Sequence, residues 1–353
     1  MKVKKTKYES YCLKDFDVAK GCKLCVAGKK LVLFITGLCS RNCFYCSLSD
    51  KRKNKNKVWA NERRCRSVED AILEAKESKA EGAGITGGDP LVVMRRTLKY
   101  ARALKKAFGK KFHIHIYVPT DKVNFKVLEK LHQHIDEIRF HPYFLIENIE
   151  KEIEKIKLAS TFWKKSQIGI EMPLLPDHVR EITTFIKKAS PYIGFVNLNE
   201  LEISDTNFDY IMTHYKLDSN GYTVKSSIEA GMKVLKACKN LGLKIHLCTA
   251  KTKNFFQYKN RLKLRKILPF SVRTEEGTIR LFAMYGNIEK LIEKLKKYKK
   301  SYTSRKNIYI DKRHKRIILN EKIVPELLKA GFKIARVEEL PTYDATMLEF
   351  EYL

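Results

Sequence analysis

"KLVLFITGLCSRNCFYC", residues 30–46, decides the fold. Its first half is a dense apolar run that ends at Gly37, the texture of a buried strand. Its second half places Cys39, Cys43 and Cys46 inside eight residues. A strand that runs straight into a loop of reactive side chains is how parallel α/β proteins present chemistry, at the C-terminal ends of their strands. Three thiolates can hold three irons of a cubane cluster and leave the fourth iron without a protein ligand. A structural zinc site prefers four ligands, commonly in paired Cys-x2-Cys or Cys/His spacing. Three thiols therefore suit a cubane better, with a zinc knuckle or an accident of composition as the alternatives.

Further strand candidates follow at 82–88, 112–118, 137–143, 167–175, 192–203 and 244–250. Helical stretches separate them, such as 67–82, where Ser67 and Asp70 have the spacing of an N-terminal capping box and Gly82 is a C-cap candidate. Strand–helix alternation implies a parallel sheet with helices outside. Side chains alternate at period two along a strand. "FHIHIYV" separates Phe112, Ile114 and Ile116 from His113, His115 and Tyr117. The same split sets Arg139 and His141 apart from Ile138 and Phe140, and Gly169 and Glu171 from Ile168 and Ile170. It sets Asn197 and Asn199 apart from Val196 and Leu198, and His246 and Cys248 from Ile245 and Leu247. The apolar sets suit the helix-covered side. A filled barrel core would be Val, Ile and Leu, so His, Arg, Glu and Asn on the inner side predict a polar cavity.

After about residue 250 the texture changes. "KNFFQYKNRLKLRK" (253–266) interleaves aromatic and basic residues, and residues 277–353 read as a small α+β domain, ferredoxin-like in element order. The expected organisation is a Cys-containing N-terminal extension (1–29), a core (30–270) and a C-terminal domain (271–353). The chain has 353 residues and a formal net charge of +31. A field of that sign attracts polyanions and makes nucleic acid a candidate partner, although a lysine-rich proteome gives the same surplus. No apolar run reaches the length of a membrane span, and the N-terminus has no apolar signal region. The expectation is a cytoplasmic protein without a membrane partner. Clustered cysteines in such a compartment bind metal or do chemistry.

The Cys39, Cys43, Cys46 loop resembles the cluster loop of the radical S-adenosylmethionine (radical SAM) superfamily. The segment Thr86-Gly87-Gly88-Asp89-Pro90 resembles that family's Gly-Gly-Glu-Pro motif, with Asp for Glu, on the next strand. Within the superfamily, "GCKLC", the cysteine loop and "ITGGDP" resemble archaeal proteins related to pyruvate formate-lyase activating enzymes. The resemblance covers roughly residues 30–250 and implies a partial (β/α)6 TIM-like barrel. It implies a [4Fe–4S] cluster on the three cysteines and S-adenosylmethionine as cofactor. One electron to the sulfonium would yield methionine and a 5′-deoxyadenosyl radical, with the electron coming from a donor such as ferredoxin or flavodoxin. By the same resemblance Tyr45 would pack near adenine, Thr86, Gly87, Gly88 and Asp89 would meet the methionine amino group, and Glu171 and Asn199 would reach ribose and carboxylate.

Cys22-x2-Cys25 has metal-like spacing and, with Cys12, is a candidate for a second metal or cluster. An inward Cys248 is a candidate catalytic thiol, able to return a hydrogen atom to a product radical; the alternative is a small buried hydrophobe. Three function classes stand. The first is a radical SAM enzyme acting on RNA, tRNA in particular, from the charge and residues 253–266. The second is an activase that installs a radical on a partner protein, or an enzyme of a small metabolite. The third is a non-catalytic iron–sulfur or zinc protein, which would need no methionine site.

Overall fold

Seven strands form one parallel sheet, in chain order: β1 (Lys30–Phe34), β2 (Gly82–Thr86), β3 (His113–Pro119), β4 (Glu137–His141), β5 (Ile168–Leu174), β6 (Phe195–Glu200) and β7 (Lys244–Cys248). Neighbours pair in sequence, with Phe34 opposite Thr86, Val118 opposite Phe140 and Asn199 opposite Cys248. This is the computed structural model of the chain, describing residues 3–14, 17–146 and 148–353. All seven strand candidates are present, so the six-strand count implied by the resemblance is short by one. β7 pairs with β6 over its whole length, and Gly231, in the helix that leads into β7, lies so close to Leu247 that a Cβ there would come within 2.2 Å. The sheet does not close. Val58–Ala60 pairs antiparallel with β1 at one end, and Tyr11–Cys12 pairs antiparallel with β7 at the other.

The period-two split explains the layering. Leu31, Leu33, Ile114, Ile116, Ile138, Ile168, Val196, Leu198, Ile245 and Leu247 belong to one buried apolar core. Covering helices are α2 (Val68–Glu77), α3 (Met94–Phe108), α4 (Phe125–His132), α5 (Glu150–Leu158), α6 (Val179–Ala189), α7 (Phe208–His214) and α8 (Ser227–Ala237); α1 (Lys20–Val26) precedes β1. Ser67 caps α2, and Asp70 accepts from the Ser67 N–H at 3.1 Å. Gly82 is not its C-cap: α2 ends at Glu77, and Gly82 opens β2, where a Cβ would meet the His113 carbonyl at 2.4 Å.

α1 sits across the base of the sheet. A Cβ on Gly21 would lie 2.6 Å from both Arg139 Nη2 and His115 Nδ1. The "CKLC" turn thus packs directly on the polar residues of β3 and β4. Together with Tyr11–Cys12, this makes the N-terminal residues part of the first of two compact units, residues 1–258 and 259–353. The division at 258 falls ahead of the 270 expected, because Lys259–Leu264 is helical and Arg273 donates to the Leu262 and Arg265 carbonyls, which ties this helix to the second unit.

The second unit contains β8 (Ile279–Tyr285), α9 (Ile288–Tyr298), β9 (Ile308–Asp311), β10 (Arg316–Leu319), α10 (Val324–Lys329), β11 (Ala335–Glu339) and β12 (Met347–Tyr352). Its sheet is antiparallel, in the order β9-β10-β8-β11-β12, with short Val272–Arg273 on β8. Met284, Ile317, Leu319, Leu295, Leu327 and Ile334 share one buried cluster between sheet and helices. Among the described residues, no helix is long and apolar enough to cross a membrane.

Candidate active site

The strand ends of the first unit surround a cavity of about 780 Å³. Cys39, Cys43 and Cys46 stand on its wall, with Tyr45 between the last two. The opposite wall is built from Thr86, Gly87 and Gly88 after β2, Tyr117 and Pro119 on β3, His141 on β4, Glu171 and Pro173 on β5, and Asn199 on β6. Five strands thus deliver polar or small side chains to one space, as their alternation predicts.

The cysteine loop is held from three sides. Behind it, the Gly88 and Asp89 amides donate to the Thr36 and Leu38 carbonyls, both at 2.8 Å. The glycines permit this approach: a Cβ on Gly87 would come 2.3 Å from the Thr36 oxygen, and one on Gly88 2.4 Å from the Leu38 oxygen. At the loop's first half, Arg41 donates to Asp121 Oδ2 at 2.6 Å, Glu152 Oε1 at 3.1 Å, Thr120 Oγ1 at 2.8 Å and the His141 carbonyl at 2.8 Å. At its far end, the Ser204 and Thr206 hydroxyls donate to the Cys46 carbonyl at 3.2 and 2.9 Å. The Arg41 N–H also points at Cys39 Sγ, 3.4 Å away.

Asp89 lies outside the cavity wall. Its fully buried carboxylate accepts from the Leu91 N–H at 2.8 Å and the Ser40 hydroxyl at 3.1 Å. Burial pushes its pKa up, against the pull of those two donors. Its geometry is that of a strut between the glycine segment and the cysteine loop.

Glu171 accepts from Arg139 Nη1 at 3.0 Å and from Asn199 Nδ2 at 2.9 Å. Burial penalises its charge, but Arg139, His141 and Asn199 outweigh that and hold the carboxyl below the usual range. Arg139 is itself fully buried and also pairs with Glu137 at 2.6 Å. This layer, with Cys22, closes the floor: Cys22 Sγ accepts from Arg139 Nη2 at 3.3 Å and faces Asn197 Oδ1 at 3.8 Å. His246 Nδ1 also meets Asn197 Oδ1, at 2.6 Å.

Cys12 and Cys22 share a small buried cluster with Val18, Ala19 and Phe195, and Cys25 is partly exposed. Among the described residues, no three His, Cys, Asp or Glu side chains converge on a single-ion site. Cys248 ends β7 but is not on the cavity wall; it accepts from Gln257 Nε2 at 3.4 Å, and burial pushes its thiol up, so it stays protonated.

The Radical SAM superfamily model matches residues 33–142, which span β1 to the end of β4. A Methanocaldococcus jannaschii protein, provisionally named as a glycyl-radical enzyme activating enzyme, is 36% identical over 372 aligned positions, covering 97% of this chain and 94% of its own length. The chain belongs to the radical SAM superfamily. As a radical SAM enzyme it uses a [4Fe–4S] cluster and S-adenosylmethionine. Two structures of the radical SAM methyltransferase TsrM from Kitasatospora setae also match. The one with tryptophan and a SAM analogue has a TM-score of 0.37 at 10% identity, over 60% of this chain. The one with cobalamin and a [4Fe–4S] cluster has a TM-score of 0.35 at 9% identity, over 52% of this chain. This chain spans 44% and 39% of those proteins.

The residues present fit these groups. Three cysteines without disulfide partners stand in a cavity-wall loop that Thr206 holds from outside and Arg41 anchors from within. Burial pushes the Cys39 and Cys43 thiols up, a cost that iron removes by displacing the proton. Arg41, Ser40, Thr206 and Lys30 are site residues that sequence reading passed over. Arg41 and Ser40 sit inside the motif itself, between Cys39 and Cys43, and that position was the available signal.

Proposed function

We propose that this radical SAM enzyme is an activase, which installs a radical on a glycine of a partner protein. The observation that carries this reading is the near full-length relationship to a protein named as a glycyl-radical enzyme activating enzyme. When bound at Cys39, Cys43 and Cys46, the cluster with S-adenosylmethionine supplies a 5′-deoxyadenosyl radical that takes a hydrogen atom from a substrate carbon, here a glycine Cα. The chain's own residues supply placement. Arg41, Asp89 and Thr206 hold the cysteine loop. Tyr45, its ring centroid 6.3 Å from that of Phe144 in a stacked arrangement, offers a flat apolar wall for adenine. Glu171 and Asn199 are held in register as ribose and carboxylate contacts, and Thr86 to Gly88 offer backbone to the methionine end.

RNA modification is the weaker reading. It rested on charge and on residues 253–266, and the named relative draws the assignment to a protein partner. Phe256, one of the aromatic residues of that segment, packs edge-on against Tyr8 at 5.5 Å, so its ring is already engaged within the protein. The deciding experiment incubates reduced, reconstituted protein with S-adenosylmethionine and glycyl-radical enzyme carrying α-deuterated glycine. Deuterium in 5′-deoxyadenosine is expected, together with a glycyl radical whose electron paramagnetic resonance signal is a doublet with unlabelled glycine and collapses toward a singlet with the deuterated one. Uncoupled 5′-deoxyadenosine without deuterium, with a verified cluster, refutes the activase reading.

A further inference from the structure

The cavity wall carries four cationic side chains, Lys30, Arg41, Lys53 and Lys253. Arg41 is engaged by Asp121 and Glu152, and Lys253 by Glu202. Lys30 differs. It stands at the first position of β1, where the alternation that buries Leu31 and Leu33 on the helix side turns Lys30 and Val32 toward the cavity. Among the described residues, no carboxylate lies within ion-pair distance of its ammonium. Its one hydrogen bond is a long one, 3.5 Å, to the Tyr117 hydroxyl.

The neighbours explain why no internal partner reaches it. Glu171 is the carboxylate on the same floor, and it is turned to Arg139 and Asn199, each of which donates to one of its oxygens. Burial and the Arg139 guanidinium work against a charge on Lys30, and Cys25, Tyr117 and Cys22 favour it when they are ionised. The net direction is up, and the side chain ends on the cavity wall, where a ligand can meet it. An ammonium has three donors. Lys30 uses one of them, weakly, and faces the space where substrate must sit.

We infer that Lys30, with the Tyr117 hydroxyl, anchors a carboxylate of the substrate at the base of the cavity. This rests on the reading of the cavity as the place where a hydrogen atom is taken from substrate. The anchoring group has two sources with the same chemistry: an acidic side chain next to the target glycine of a partner protein, or a small carboxylic acid. A charge-assisted bond to a carboxylate is roughly twice as strong as a bond to a neutral oxygen, so acid and amide versions of one probe should separate.

The test is calorimetric titration of the cluster-reconstituted, S-adenosylmethionine-loaded protein, without oxygen. Two pairs of probes are used: N-acetyl-Gly-Glu-amide against N-acetyl-Gly-Gln-amide, and glutarate against glutaramate. Wild type should bind the acid of at least one pair about tenfold or more tightly than its amide. K30M should lose that contrast to within about threefold, and K30R should keep part of it. Contrast in the peptide pair assigns the carboxylate to a partner protein; contrast in the glutarate pair alone assigns it to a small acid. Equal binding of acid and amide by wild type, no binding of any probe, or full contrast in K30M overturns the inference. If K30M does not fold, K30Q takes its place. Failure of deuterium transfer from glycine, with the acid contrast intact in the glutarate pair, would refute the activase reading and leave the anchor standing.

Discussion

Arg41→Ala should loosen the cluster loop and destabilise the first unit. Arg41 keeps only 11% of its side-chain surface, Glu152 10% and Asp121 42%. Removing one partner of a buried ion pair costs about 3–5 kcal/mol, because the other charge is left without compensation. The Asp121 side of the interaction reaches water and contributes less, on the order of 0–1 kcal/mol. Glu152 would still accept from the Thr120 hydroxyl at 2.6 Å and the Tyr143 N–H at 2.9 Å, which softens its loss. The expected cost is therefore roughly 3 kcal/mol, the lower end of the range. Urea denaturation of the apoprotein reads the stability, and iron and sulfide content after reconstitution reads the loop. Arg41→Lys should recover part of both, since a lysine reaches one carboxylate but cannot bridge Asp121, Thr120, Glu152 and the His141 carbonyl together. An alanine variant within about 0.5 kcal/mol of wild type, with full iron content, would refute the view that Arg41 fixes the loop.

Changing Cys39, Cys43 and Cys46 together to Ala should abolish the [4Fe–4S] cluster, checked by iron and sulfide analysis; unchanged cubane content would place the cluster elsewhere. Asp89→Asn should cost roughly 1–2 kcal/mol in unfolding, since two donors lose a charged acceptor, and should lower cluster retention before it lowers affinity for S-adenosylmethionine. Gly21→Ala should destabilise by about 1–2 kcal/mol although alanine favours a helix, because its Cβ meets Arg139 and His115; a neutral effect in thermal unfolding would mean that α1 does not seat on the floor. His246 has its pKa lowered by burial from 6.5 to about 4. The unfolded chain therefore takes up a proton that the folded one refuses, and stability falls as pH drops from about 6.5 toward 4, by on the order of 3 kcal/mol when complete. His246→Asn should flatten that slope in denaturation curves taken across this range.

The sheet and its cavity were legible because β-strand alternation is a local signal. His115, Arg139, Glu171, Asn197 and His246 each alternate with apolar neighbours along their own strand, and a shared inner face accounts for all five. The division of that face into two levels was not legible. Tyr117, Glu171 and Asn199 line open space, whereas Arg139, His115 and Asn197 lie under Cys22 and Gly21. Nothing in "GCKLC" says that its helix packs onto strands a hundred residues later. The aim of Asp89 was likewise invisible, since the choice between a ligand and the Ser40 hydroxyl depends on how two loops meet. The seventh strand was readable at 244–250 but exceeded the strand count of the family pattern.

Tyr11–Cys12 pairs with β7, and Cys12 stands opposite His246. An early segment of the first unit is thus completed by the last strand of that unit. At about 5–20 residues per second, the N-terminal residues wait on the order of ten to fifty seconds for β7 to emerge. Contacts of such long sequence separation form late, since loop closure comes before the gain. During synthesis the floor is therefore open, and Cys12 and Cys22, buried in the finished protein, spend that interval in solvent. Folding thus shields Cys12 and Cys22 only at its end, whereas Cys39 is exposed in the finished fold as well.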